Sequence, residues 1–219
     1  MEGTISPPTL NFEEIIRRLR AAEILVMMPD IFPLSDLIEM GDALLASPIL
    51  ALEIQLAGGE GLEAVIELRH RAGQHMLIGI GGIETISQTE MALRADPHFI
   101  TTSGFNFDIA KHLIRAEKPY TCEAATLDKA KTALKSGCSV LKLHHLDPAQ
   151  TKPLQIEYPE TLLIPTTGVT LDNISDYINA GITTVGVSEA IISRALPTMA
   201  HVITQARRWR TAWQQAQQR

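Results

Sequence analysis

The chain has 219 residues, of which 45% are hydrophobic and 20% charged, with a formal net charge of −6. This is an ordinary soluble globular composition with ample apolar material for a core, and the length suits one α/β barrel domain. Basic residues are scattered apart from Arg207, Arg208 and Arg210, which argues against nucleic acid or an anionic membrane as partner.

Residues 1–10 hold a glutamate and two prolines, where a secretory signal needs a basic start and an apolar run, so they read as an unprocessed, flexible leader. Asn11 then caps a predicted helix on which Phe12, Ile15, Ile16 and Leu19 recur at helical spacing. Eight short apolar runs follow: ILVMMP (24–29), ILALEIQL (49–56), HMLIGIGG (75–82), HFITTSG (98–104), YTCEAAT (120–126), SVLKLHH (139–145), TLLIPTTGV (161–169) and TTVGVSEA (183–190). Most intervals between them carry 3.6-period apolar spacing. The weakest, 146–160, has three prolines and reads as a short helix or a loop. The run AIISRALPTMAHVITQARRWR (190–210) reads as a final helix, and 211–219 as a flexible tail. No apolar stretch approaches the roughly 18 residues of a membrane span. Cys122 and Cys138 fall in segments read as buried, which supports no disulfide framework and fits a reducing cytoplasm.

Alternating strands and helices predict parallel βαβ units. Eight of them predict a (β/α)8 TIM barrel with an extra N-terminal helix, with an open doubly wound sheet as the runner-up. GIGGIE (79–84) has Glu84 where a dinucleotide fingerprint requires glycine, which weakens that runner-up.

VLKLHH (140–145) sets an ammonium group in an apolar strand. With a period of two, Val140, Lys142 and His144 share one face and Leu141 and Leu143 the other, so Lys142 is expected to point into the barrel. Two readings stand: an amine with its pKa depressed by burial, ready to attack a ketone, or a lysine that snorkels to the rim or pairs with a carboxylate. Glu53 interrupts ALEIQL in the same way and faces inward if Leu52, Ile54 and Leu56 face helices; acid–base catalysis and a structural ion pair with Lys142 are both open. Glu123 also breaks an apolar run and could reach the lumen, with a rim position as the favoured reading. His144 and His145 are adjacent on a strand and point to opposite faces, so they make no metal site. Thr166, Thr167 and Gly168, with Ser188 before an expected helix, fit either an anion site at the C-terminal face of a barrel or turn and cap residues.

In this order, LEIQL, LIGIGG, FITTSGFN, AAT, SVLK, PTTGVTLDN and VGVS resemble the class I aldolase family of 2-keto-3-deoxy-6-phosphogluconate aldolase and 4-hydroxy-2-oxoglutarate aldolase, from about Ile15 to about Arg194. The resemblance implies that Lys142 matches the Schiff-base lysine of the family's VLKFFP motif and Glu53 the general acid–base glutamate of LEVTLRT. Through the family's PTGGI and GGS motifs it implies a phosphate site at Thr167, Gly168, Val187 and Ser188. Gly81, Gly82, Thr102, His144 and Thr166 are the expected substrate-binding residues. It also implies a homotrimer that needs no metal or other cofactor and acts on a small-molecule 2-keto acid.

The expected activity is therefore cleavage of a 2-keto-3-deoxy or 4-hydroxy-2-keto acid to pyruvate and an aldehyde. The alternatives are a non-catalytic barrel that binds a metabolite or partner, and another phosphate-binding barrel enzyme such as a thiamine-phosphate-synthase-like transferase. The sequence departs from the family pattern at several places. The arginine of LEVTLRT falls on Ala57, the threonine of GAGTV on Gly82, the serine and proline of SPGFN on Thr102 and Ser103, and two phosphate-loop glycines on Thr167 and Val187. A missing arginine–carboxylate contact removes roughly 1.5–3 kcal/mol, and His144, on the face of Lys142 and nearer the rim, is the expected substitute.

Overall fold

The computed structural model describes residues 10–195 and 198–218. Its strands are β1 (Ile24–Pro29), β2 (Ala51–Gln55), β3 (Leu77–Ile83), β4 (Phe99–Thr102), β5 (Tyr120–Ala124), β6 (Val140–Leu143), β7 (Leu162–Pro165) and β8 (Val185–Val187). Around them lie α1 (Phe12–Ala21), α2 (Leu34–Leu45), α3 (Gly61–Ala72), α4 (Ile86–Arg94), α5 (Phe107–Arg115), α6 (Leu127–Lys135), α7 (Pro148–Glu157), α8 (Ile174–Asn179) and α9 (Met199–Gln217). The strands form one eight-stranded sheet in the order β7-β6-β5-β4-β3-β2-β1-β8, and every ladder is parallel. The two ends of the sheet meet where Gly186 lies against Thr166, so closely that a Cβ on the glycine would stand 2.8 Å from Thr166 Cγ2. The architecture is the (β/α)8 barrel, and the open sheet is set aside.

Strand alternation divides the apolar residues into two cores. Ile24, Val26, Met28, Leu52, Ile54, Leu141 and Leu143 pack outward under the helices. Leu25, Met27, Ala51, Leu77, Phe99, Val140, Leu162 and Ile164 fill the lumen, joined by Ile15 and Leu19 of α1. The extra helix is thus a plug beneath the strands, its start fixed by Asn11, which accepts the Glu14 N–H. Gly79 leaves room for the Phe99 ring, which a Cβ there would meet at 2.2 Å.

The proline-rich interval 146–160 does form a helix, α7. Asp147 and Gln150 make a capping box and a proline occupies the first turn, where its missing N–H costs nothing. The expected flexible tail differs more: through residue 217 it is the last part of α9, held by Trp209 and Trp213, both buried. Of the expected leader, residues 1–9 lie outside the described residues. Cys122 and Cys138 are buried free thiols. Among the described residues, no helix is long and apolar enough to cross a membrane.

His98, buried at the base of β4, accepts the Ile78 N–H on Nδ1 at 2.8 Å. Burial pushes its pKa from 6.5 down to about 3. The neutral ring therefore contributes stability in full above 6.5, and this is lost as pH falls toward 3, at up to ~1.4 kcal/mol per pH unit for one proton. His98→Asn, which keeps an acceptor near the Nδ1 position without a titrating ring, is expected to lower stability somewhat at pH 8. It is also expected to flatten the acid slope between about pH 6 and 4, as measured by denaturant unfolding across pH.

Candidate active site

Inward-facing positions near the C-terminal ends of β2, β4, β5 and β6 bring Glu53, Thr101, Glu123, Lys142 and His144 together. Lys142 and Glu53 are both fully buried. The Lys142 Nζ donates to Glu53 Oε1 at 2.6 Å and to Glu123 Oε1 at 2.7 Å. Thr101 donates its hydroxyl hydrogen to Glu53 Oε2 at 2.7 Å. On the outer side, His144 Nε2 lies 3.2 Å from Glu123 Oε2, close but out of line for a hydrogen bond, so that this shielded ring nitrogen has no aligned partner. The other ring nitrogen, Nδ1, is 3.2 Å from Thr167 Oγ1.

Backbone geometry makes room for this cluster. Parallel pairing sets Glu123 directly beside Lys142. On the neighbouring strand β3, a Cβ on Gly81 would stand 2.3 Å from Glu53 Oε1, so only glycine leaves the carboxylate its place. Gly81→Ala is expected to displace Glu53, costing about 1–3 kcal/mol of stability and a larger proportion of activity. A melting curve and a turnover assay on one preparation separate the two effects.

The electrostatics correct the expectation for the lysine. Burial alone would push the ammonium down, but the two facing carboxylates outweigh it, and the Lys142 pKa is raised. The resting group is an ammonium, and it must shed a proton before it can act as a nucleophile. Burial would raise the carboxyl of Glu123, yet His144 and Lys142 together hold it down at about 2, as an anion.

The structure places the other expected residues unevenly. Glu123, read as a rim residue, sits at the amine. Thr102 turns to the helix side, where its hydroxyl donates to Gly104 O at 2.6 Å and lies 3.2 Å from the Tyr120 hydroxyl; by alternation it is Thr101 that faces the lumen. Gly82, at φ +79, lies where a Cβ would be 2.8 Å from Leu56 O. Thr166 holds the rim of β7, its N–H and hydroxyl both directed to Leu143 O. Gly168 has φ +85 and its carbonyl accepts from Asn173 Nδ2.

Val187 directs its side chain into the outer core. Ser188 does not precede a helix: its carbonyl accepts the Ile191 and Ile192 N–H groups in a turn, and the next helix begins only at Met199. The segment expected to be helical contains Pro197, which a helix interior does not accommodate. The loop at Ala57, where the family arginine falls, is tied through backbone N–H groups of Ala57 and Gly59 to the buried carboxylate of Asp30.

A cavity of about 540 Å³ on the β4 to β6 side reaches Glu123 and His144 at the outer edge of the cluster and is otherwise lined by His145, Ser103, Phe105 and Lys129 among others. His145 holds a left-handed φ of 57 at its mouth, a conformation that non-glycine residues adopt at a cost.

A family model described as KDPG and KHG aldolase matches residues 15–201. The chain belongs to this family. KDPG and KHG aldolases are class I aldolases, so the chain is a carbon–carbon lyase. A 2-dehydro-3-deoxy-phosphogluconate aldolase of Pseudomonas aeruginosa is 29% identical over 148 residues, covering 66% of this chain and 67% of the relative. One of Haemophilus influenzae is 25% identical over 170 residues, covering 76% and 79%. Among solved structures, the 2-keto-3-deoxy-6-phosphogluconate aldolase of Zymomonas mobilis, with 3-phosphoglycerate, superposes with a TM-score of 0.77 at 21% identity, covering 90% of this chain and 95% of that one. Likeness at that identity speaks for the fold alone.

Proposed function

We propose that this KDPG and KHG aldolase family member cleaves a 2-keto-3-deoxy or 4-hydroxy-2-keto acid to pyruvate and an aldehyde through an imine on Lys142. The observation that carries the reading is the fully buried Lys142 Nζ held 2.6 Å from Glu53 Oε1. In this reading the amine attacks the C2 ketone. The resulting iminium draws the electron pair of the breaking C3–C4 bond, and Glu53 takes the proton from the C4 hydroxyl and later delivers one to C3. Thr101, by donating to the second oxygen of Glu53, keeps that carboxylate turned to the amine.

Gly81 and Gly82 shape the wall behind Glu53, and His144 with Thr166 meets the carboxylate end of the substrate. Thr167, Gly168, Ser188 and the backbone of Val187 border the position where an anionic tail would lie. A homotrimer in a reducing cytoplasm completes the proposal, supported by the family resemblance and by two cysteines kept as free thiols.

The test is pyruvate release from 2-keto-3-deoxy-6-phosphogluconate and from 4-hydroxy-2-oxoglutarate, followed with a coupled dehydrogenase. Turnover of either supports the reading and ranks the substrates. No pyruvate from either overturns the substrate assignment.

A further inference from the structure

We propose that Glu123 and His144 form a proton relay that serves imine formation at Lys142, separate from the proton handling at substrate carbon assigned to Glu53. The inference rests on the Schiff-base reading above and concerns who carries which proton.

Both carboxylates touch the amine, but they differ in what lies behind them. Glu53 is fully buried, and its second oxygen is closed off by the Thr101 hydroxyl. The side chain of Glu123 is 16% exposed, and its second oxygen faces His144 Nε2 at 3.2 Å. The imidazole is 26% exposed and lines the 540 Å³ cavity, while Thr167 Oγ1 lies 3.2 Å from its far nitrogen. A chain of groups thus runs Lys142, Glu123, His144, cavity, its Glu123–His144 link at 3.2 Å and brought into line by a turn of the imidazole, with no counterpart behind Glu53 among the described residues. His144 also stands where the family's VLKFFP motif has phenylalanine, so the ring that ends this chain of groups is a departure from the pattern.

One of the three protons of the ammonium passes to Glu123 and on to His144. The freed lone pair of Nζ forms the C–N bond to C2 as the carbonyl electron pair moves to oxygen, and a second proton crosses from nitrogen to that oxygen. The relay then returns the first proton to the hydroxyl. Water leaves with both, and the iminium keeps the third. Glu123, held as an anion by its neighbours, conducts this proton, and His144 stores it. Glu123 touches the reacting nitrogen and is a catalytic residue. His144, which in the proposed site also meets the substrate carboxylate, reaches the nitrogen only through Glu123 and is a relay residue, so imine rates are compared at saturating pyruvate.

Pyruvate supplies two separable readouts: the rate of borohydride-trappable imine formation, and the exchange of C3 hydrogens with D₂O per trapped imine. Glu123→Gln and His144→Ala are expected to slow imine formation by about 10²-fold while exchange per imine stays within about twofold, and Glu53→Gln to do the reverse. Added imidazole, entering the cavity vacated by the ring, is expected to restore imine formation in His144→Ala and not in Glu123→Gln. The His144 side chain is 26% exposed at the edge of the cluster, so His144→Ala keeps the test open if Glu123→Gln folds poorly. Imine formation at the wild-type rate in His144→Ala, or a loss that imidazole does not relieve, overturns the relay. Absence of any adduct on the wild-type chain overturns the Schiff-base reading, and the relay with it.

Discussion

Lys142→Arg is expected to abolish pyruvate release, lowering turnover by at least about 10⁴-fold, the scale on which loss of a covalent nucleophile is felt. Arginine is the informative replacement because it separates chemistry from stability. Its guanidinium stays charged and can still face Glu53 and Glu123, but it offers no neutral amine at any accessible pH. Lys142→Met would confuse the two effects. It would leave two carboxylates buried without their counter-charge, a loss of about 3–5 kcal/mol, and a low turnover could then reflect an unfolded barrel. Turnover and a melting curve on Lys142→Arg, compared with the wild type, give the clean result: folded and inactive.

The second large effect is expected for Glu53→Gln. The amide can keep its oxygen toward the Lys142 ammonium and turn its NH₂ toward Thr101, whose hydroxyl rotates to accept. The fold therefore survives. What is lost is the proton acceptor for the C4 hydroxyl and the donor for C3, and cleavage is expected to fall by about 10²–10⁴-fold. Because Glu123 remains 2.7 Å from Nζ, the imine with pyruvate still forms. The expected signature is a trapped adduct whose C3 hydrogens no longer exchange with D₂O. A variant that exchanges at the wild-type rate would remove Glu53 from the reaction at carbon.

Most of the barrel was legible because its signals are local and periodic. Eight apolar runs alternate with helical spacing, and the two faces of β6 follow from the order of Val140, Leu141, Lys142 and Leu143. The inward direction of Lys142 and Glu53 followed from the same rule, which needs only one strand at a time. Glu123 was left between lumen and rim because its place depends on register: the pairing of Glu123 with Lys142 is a relation between two strands that neither encodes alone.

The choice between a depressed and a carboxylate-paired Lys142 stayed open for the same reason. Burial was visible from one strand, whereas the two carboxylates that outweigh it come from β2 and β5. Thr101 and Thr102 are adjacent hydroxyls, and which one faces inward follows once Phe99, two residues before Thr101, is seen to fill the lumen. Past β8, the apolar run around Ile191 and Ile192 looked helical, but a turn closes on Ser188 instead. The helix waits for Thr198, whose side chain accepts the His201 N–H.

Borohydride reduction in the presence of pyruvate, read by peptide mass spectrometry, tests the central claim most directly. One reduced pyruvyl adduct is expected, carried by the peptide containing Lys142 and absent from Lys142→Arg. An adduct on another lysine, or none with pyruvate or a panel of 2-keto acids on the folded protein, would contradict that claim and leave Lys142 as the centre of a structural ion cluster.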